Sequence, residues 1–180
     1  MLPPPVLLYL FCIILLIQRG KIDMTRSNAR EIAMHISFEI GVNPMPTPEL
    51  IEVIFDKEYY KSLAKECEVY EDYPNEKQLE YIKRLAMGIG EHSYELDTYI
   101  EKYAKGWRVG RISRVAVAIM RIAMFEVMYM PEIPNGAAIN EAVELCKKYE
   151  EQDTVSFVNG ILGTFVRSEM QFETEKAPEN

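Results

Sequence analysis

The segment from Val115 to Met130 constrains the fold most, because it is apolar on nearly every side. A helix that is apolar all round cannot face water, so it lies at the centre of its domain with other elements around it. Elsewhere in the chain, apolar residues recur at steps of three and four, whereas the strict alternation typical of strands does not persist. The sequence therefore predicts an all-α domain built around this segment.

Prolines, glycines and capping residues divide the chain into helices. Gly41 is a favourable residue just past a helix end, and the proline-rich stretch 43–48 cannot be helical because each proline removes a hydrogen-bond donor. Asn75 restarts a helix, and a pair of prolines ends the central segment after Met130. The helical segments are predicted at about 27–40, 49–55, 57–68, 75–89, 92–103, 115–130, 137–149 and 153–167.

The two ends of the chain lie outside this pattern. Val6 to Ile17 is an apolar run of twelve residues, shorter than the roughly 20 that a membrane span needs. Its basic residues follow the run instead of preceding it, unlike a secretory signal, and Met24 resembles a fresh start. We interpret residues 1–23 as an over-extended start, with a weak membrane anchor as the alternative. The domain spans 24–168, and 169–180 is an acidic flexible tail.

Charge is distributed unevenly along the chain. The net charge is −8, and residues 49–76 carry nine acids against three lysines. A local basic face can coexist with this acidity, because salt screens charges beyond roughly 8–10 Å. The same basic residues are equally consistent with an ordinary solvated surface. The basic run without an acid consists of Lys105, Arg108, Arg111, Arg114 and Arg121.

Residues that could support catalysis or metal binding are sparse. Glu31 and His35 are four residues apart, but two ligands are too few for a metal site. The three cysteines form no CxxC pair, which argues against a disulfide framework or a zinc site and fits a reducing cytoplasm. No GxGxxG, P-loop or GxSxG motif is present. We therefore expect a non-enzymatic protein without a cofactor or a metal.

Four ordered strings carry a resemblance to a known family. They are Ala29–Ala33 (AREIA), Trp107–Glu126 with its IMRIAMFE ending, Ile133–Lys147 with AINEAVELCK, and Phe157–Leu162 (FVNGIL). In this order and spacing they resemble the NusB family of bacterial transcription antitermination factors. The resemblance implies an all-α, NusB-like bundle of about seven helices in two packed sub-bundles.

The resemblance also implies a function. Members of the family are RNA-binding adaptors: they bind the boxA element of nascent ribosomal RNA transcripts with ribosomal protein S10 (NusE) and so act indirectly on the RNA polymerase elongation complex. We do not expect a related methyltransferase, since the sequence after FVNG leaves no room for a cofactor-binding domain. The alternative is a NusB-fold homodimer with reduced RNA binding. It is favoured by a sparse arginine arm and by Ala116 and Val117, which stand where the family usually has an acid and a base.

The expected site combines charge with aromatic rings. Arg26 and Arg30 are four residues apart in the first helical turn and are expected to contact phosphates there. The junction of the last two helices borders the RNA by resemblance, and Tyr149 or Phe157 is expected to stack on a base; the alternatives are that Phe157 is core and that the lysines are solvated. The predicted RNA-binding residues are Arg26, Arg30, Phe38, Arg111, Arg114, Lys147, Lys148, Tyr149, Asp153 and Phe157.

Other polar residues are expected to support the fold. Arg121 lies inside the apolar helix and needs an ion-pair partner, since an unpaired buried charge is costly. The predicted partners are Glu126, Glu141 and Glu144. Asn140 and Asn159 are expected to bond the backbone or helix ends, and Gly160 to permit close helix contact.

A chain that starts at Met24 is expected to fold as the full chain does, because residues 1–23 carry none of the core pattern. Thermal unfolding followed by circular dichroism checks this. Loss of the cooperative transition in the shortened chain alone would show that the apolar segment belongs to the fold.

Overall fold

The computed structural model describes residues 24–106 and 108–170, which form seven α-helices and no strand. The prediction of an all-α bundle of about seven helices is confirmed. Our interpretation of residues 1–23 lies outside the described residues, and so does the predicted tail 169–180 after Met170. The helices are α1 (Arg26–Ile40), α2 (Thr47–Ile54), α3 (Lys57–Leu63), α4 (Glu76–Tyr103), α5 (Arg114–Tyr129), α6 (Asn135–Tyr149) and α7 (Gln152–Phe165), with 3₁₀ turns at Glu68–Tyr70 and Val109–Arg111.

Side chains at the helix starts explain several boundaries. Thr25 accepts a hydrogen bond from the N–H of Asn28 at 3.0 Å, which caps α1. Asn75 caps α4 in the same way, at 2.9 Å from the N–H of Gln78. Such caps satisfy donors that the first helical turn leaves unpaired.

Two predicted boundaries differ from the structure. The segments 75–89 and 92–103 form one continuous helix of 28 residues, α4, because the single glycine between them, Gly90, is tolerated within a helix. The segment 57–68 is helical only as far as Leu63, and Cys67 is already extended. The exposed Lys65 and Glu66 add no apolar face that would hold another helical turn in place.

Helix α5 is the centre of the molecule, as predicted. Its residues from Ala116 to Val127 are all buried, and it packs against α1, α4, α6 and α7. It runs antiparallel to α4, since Gly88 meets Phe125 whereas Asp97, later in α4, meets Arg121, earlier in α5.

The long helix α4 joins two groups of helices around one continuous core. Its first part packs with α1 and α2, and its last turns pack on α7, where Tyr99 and Tyr103 contact the ring of Phe165 edge-on. After α7, Glu169 accepts hydrogen bonds from Lys102 and Tyr103, so the beginning of the tail is attached to α4. Within the described part of the chain, every helix is too short or too polar to cross a membrane.

Two glycines have opposite roles in packing. A Cβ atom on Gly88 would lie 2.0 Å from the ring of Phe125, so glycine is what allows α4 and α5 to approach here. Gly160 has no described atom within 4 Å of such a Cβ and is exposed, so its expected role in close helix contact is wrong. Asn140 and Asn159 are exposed as well.

We expect Gly88→Ala to lower the free energy of unfolding, because overpacking a core costs about 1–3 kcal/mol. Gly160→Ala is the matched control: with open space around it, alanine should raise that free energy by about 0.5–1 kcal/mol through its helix propensity. Urea unfolding measures both. Equal effects of the two substitutions would contradict the packing assigned to Gly88.

Candidate nucleic-acid interface

An open cavity of about 370 Å³ lies where the turn before α5 meets the beginning of α7. It brings together Arg111, Asp153 and Phe157, three residues that the sequence singled out separately. The hydroxyl side chains of Ser113 and Thr154 line it too. Phe157 is half-buried: it packs against the core and also lines the cavity. Its position is therefore compatible in part with both alternatives, a core residue and a ring that stacks on a base.

Local structure holds the walls of this cavity in place. Ser113 caps α5: its hydroxyl accepts a hydrogen bond from the N–H of Ala116 at 3.5 Å and donates one to the carboxylate of Glu150. The beginning of α5 is thereby joined to the turn between α6 and α7. Asp153 and Phe157 are four residues apart in α7 and therefore share one face of that helix.

The cavity offers the contacts that an unstacked nucleobase accepts. The ring of Phe157 can stack on a base, the carboxylate of Asp153 can accept from an exocyclic amino group, and the guanidinium of Arg111 can donate to a base edge or a phosphate. Arg114 is exposed as the first residue of α5, and the unpaired N–H groups at that helix end favour anions. This arrangement suits a single-stranded nucleic acid.

The apolar pair that departs from the family pattern is part of the core. Ala116 and Val117 are both buried in α5 near the same helix end. Arg114 is the exposed charge there. A partner that touches this end of α5 would therefore meet an arginine instead of an acid–base pair.

Glu31 holds two of the predicted side chains against α1. One of its carboxylate oxygens accepts hydrogen bonds from the ammonium of Lys148 and the hydroxyl of Tyr149, each at 2.5 Å. The same hydroxyl lies 3.0 Å from Nε2 of His35. Burial, followed by the hydrogen bond to Glu31, raises the pKa of Tyr149, so its phenol stays protonated and donates.

Both lysines at the end of α6 are ion-paired. Lys147 is exposed and lies 2.6 Å from the carboxylate of Glu144, a surface pair worth at most about 1 kcal/mol. Lys148 is half-exposed, but its partner Glu31 is largely buried. A phosphate can replace Glu144 at little cost, whereas removing Lys148 from Glu31 leaves a buried carboxylate with one partner fewer.

The two arginines of α1 have different environments. Arg26 is partly exposed, and its guanidinium lies 3.9 Å from the centre of the Tyr81 ring, a cation–π contact. Arg30 is only 4% exposed. The prediction that both arginines project from an exposed turn is therefore wrong for Arg30, because α1 has entered the interior one turn after its start.

Carboxylates bind Arg30 on two sides. Its Nη2 donates to Oε1 of Glu126 at 2.8 Å and its Nη1 donates to Oε2 of Glu141 at 3.0 Å, while Tyr81 donates a further hydrogen bond to Glu126. Burial alone lowers the pKa of Arg30, but the hydrogen bond and charge of Glu126 outweigh it, so the pKa is raised. Arg30 is thus a charged structural residue.

Arg121 forms the structural ion pair that its position predicted, with a different partner. Its Nε and Nη2 donate to the two oxygens of Asp97 at 2.8 and 2.7 Å. The prediction of the partners is wrong, because Glu126 and Glu141 bind Arg30 and the third predicted glutamate binds a lysine.

The structure places the predicted site residues in three groups. Phe38 lines a second cavity, of about 430 Å³, between α1, α2 and α3, and Tyr149 lines it too. Sequence reasoning missed Thr154, whose signal was its position beside Asp153. The groups are Arg111, Arg114, Asp153 and Phe157 at the first cavity; Phe38, Lys147, Lys148 and Tyr149 at the end of α6 and the second cavity; and Arg26 and Arg30 at the beginning of α1.

Fold and site together define the class: an all-helical protein, over its described residues, with a cavity that combines an arginine, a carboxylate and an aromatic ring. The sequence model of the NusB family matches residues 27–167, and the chain belongs to the NusB family. The transcription antitermination protein NusB of Clostridium botulinum (strain Kyoto / Type A2) is 33% identical over 143 residues, 79% of this chain and 100% of that protein. This family consists of transcription antitermination factors, so the expectation of a non-enzymatic protein is confirmed.

Solved structures agree with this assignment. NusB of T. maritima has a TM-score of 0.62 and 25% identity, covering 84% of this chain and 99% of that one. A chain from the crystal structure of a plectonemic RNA supercoil has a TM-score of 0.65 and 26% identity, covering 81% of this chain and 96% of that one.

We expect Arg30→Ala to lower the free energy of unfolding by about 3–5 kcal/mol, because it strands the buried carboxylate of Glu126. Arg26→Ala, on the same helix, removes only a partly exposed cation–π contact worth about 0.5–1 kcal/mol. Urea unfolding of both variants checks the difference. Equal decreases in the free energy of unfolding would show that Arg30 contributes no more to stability than Arg26 does.

Proposed function

We propose that this protein is an RNA-binding transcription antitermination factor. It binds a boxA-like, single-stranded element of nascent ribosomal RNA transcripts together with ribosomal protein S10, and acts through them on the elongating RNA polymerase in the cytoplasm. The observation that carries the proposal is the cavity at the beginning of α5 and α7, where Arg111, Asp153 and Phe157 converge.

The charge distribution supports this choice of surface. Of the six basic residues in the predicted site, three are committed to carboxylates: Arg30, Lys147 and Lys148. The other three, Arg26, Arg111 and Arg114, form no ion pair with any described residue. Because arginines without carboxylate partners bind phosphate without first losing an ion pair, the RNA backbone is expected to follow them.

The relatives support the general part of the proposal, which is transcription antitermination and RNA binding. The C. botulinum protein is called a transcription antitermination protein, and one structural neighbour comes from a crystal structure of an RNA supercoil. The boxA-like sequence and the S10 partner rest on the resemblance alone. The cavity accounts for single-strand binding because a base can enter it only when it is unstacked.

The second candidate is a NusB-fold homodimer with reduced RNA binding. It is favoured by the burial of Arg30 in the core. Of the two arginines at the beginning of α1, only Arg26 then reaches the surface, and it is partly exposed. A protein of this kind would show dimers in sedimentation and weak binding to every RNA. The two candidates thus differ in a direct binding measurement.

We expect Arg111→Ala combined with Arg114→Ala to reduce the slope of log affinity against log salt by about 1.4, at roughly 0.7 per phosphate contact on a single strand. Fluorescence anisotropy with a boxA-like and a scrambled RNA, with and without S10, measures the slope. Lys83→Ala on α4 is the control, since Lys83 is exposed away from the cavity.

Phe157→Leu in the same assay removes the stacking surface while it keeps an apolar side chain against the core. We expect a loss of about 1–3 kcal/mol in binding, or roughly 5- to 150-fold. An unchanged slope in the double arginine variant, together with unchanged affinity in Phe157→Leu, would move RNA away from this cavity and favour the homodimer.

A further inference from the structure

Three potential metal ligands meet beside the second cavity. Glu31, His35 and Cys67 place a carboxylate oxygen, an imidazole nitrogen and a thiol sulfur within 4.8 Å of one another. Glu31 and His35 are four residues apart and share one face of α1. Cys67 comes from the segment after α3, so folding adds the third ligand to a pair that was too small in sequence.

Hydrogen bonds around His35 already orient the imidazole. The hydroxyl of Tyr70 lies 2.9 Å from Nδ1, and that of Tyr149 lies 3.0 Å from Nε2. A metal-binding histidine commonly donates its second N–H to an oxygen, which fixes the ring. In the tautomer with its proton on Nδ1, His35 can donate to the hydroxyl oxygen of Tyr70, and Nε2 is then available to bind an ion.

The hydroxyl of Tyr149 lies between two of the three ligands. It lies 2.5 Å from Oε1 of Glu31 and 3.0 Å from Nε2 of His35. Tyr149 is at the surface, so its ring can move aside. Bonds from zinc to sulfur, nitrogen and oxygen are about 2.0–2.3 Å long, and the three ligand atoms, within 4.8 Å of one another, are close enough to share one ion.

We propose that Glu31, His35 and Cys67 form a site for Zn²⁺, with the fourth coordination position open toward the second cavity. Sulfur, nitrogen and a single carboxylate are the ligand set of zinc, whereas Ca²⁺ and Mg²⁺ prefer oxygen ligands throughout. The cavity gives an ion access, because His35 and Cys67 both line it.

The surrounding charge favours a cation. Lys148 is the positive group in contact with Glu31, at 2.5 Å. Against it, an adjacent cavity of about 250 Å³ is lined by Glu31 and by three further acids, Glu68, Glu71 and Asp72. A divalent ion therefore enters a region of net negative charge, and the half-exposed Lys148 side chain can turn away to water.

Cobalt(II) spectroscopy tests the site in the full-length protein, because a thiolate bound to Co²⁺ gives an intense near-ultraviolet charge-transfer band. We expect one equivalent of Co²⁺ to produce the band and Zn²⁺ to abolish it by displacement. The double variant Cys12→Ser with Cys146→Ala should keep the band, because Cys67 is then the remaining thiol. Absence of the band in this double variant overturns the proposal.

Loss of the ligands completes the test. Cys67→Ser should eliminate the band, and His35→Asn should weaken Zn²⁺ binding at least about tenfold, since even outer residues of metal sites cost 10–100-fold. His92→Asn is the matched control and should change nothing. Metal-free thermal unfolding verifies that each variant is folded. A band that persists in Cys67→Ser, or equal effects of the two histidine substitutions, contradicts the assignment.

Discussion

The buried ion pair between Arg30 and Glu126 is the interaction on which the rest of the structure depends. Glu126 is fully buried, so its charge must be balanced within the core. Arg30 supplies the balance from α1, Tyr81 adds a hydrogen bond from α4, and Glu141 extends the network to α6. Hydrogen bonds to this one buried carboxylate and its arginine partner therefore connect four helices.

The same requirement for charge balance decides which basic residues are available at the surface. The chain has 28 acidic side chains against 20 lysines and arginines, and the buried arginines are paired with carboxylates. Lys148 is held by Glu31, and Arg121 by Asp97. The exposed Arg111 and Arg114 form no ion pair with a described residue, and they lie at the end of α5 where an aromatic ring and unpaired helix N–H groups also occur. A basic binding surface can exist on this protein because it is confined to one helix end.

Local signals in the sequence were good predictors where the relevant interactions are local. The first helix was placed correctly, because the residues that begin and end it, Thr25 and Gly41, lie directly beside it in sequence. The interior helix followed from apolar residues alone. Arg30 was misplaced, since its burial depends on Glu126, which is 96 residues away. The partner of Arg121 was missed for the same reason, because Asp97 reaches it only through the antiparallel packing of α4 and α5.

The sequence by itself determined the fold class, the central helix, the family and three of the six residues that line the first cavity. Periodicity and family strings are patterns of residue types along the chain, so they can be recognised without knowing which distant residues are in contact. Only the tertiary structure decided which charges are paired, which of the predicted residues share a cavity, and that Cys67 joins Glu31 and His35. The physical reason is that ion pairing and ligand geometry depend on distances of a few ångströms between residues far apart in sequence, and packing sets these distances.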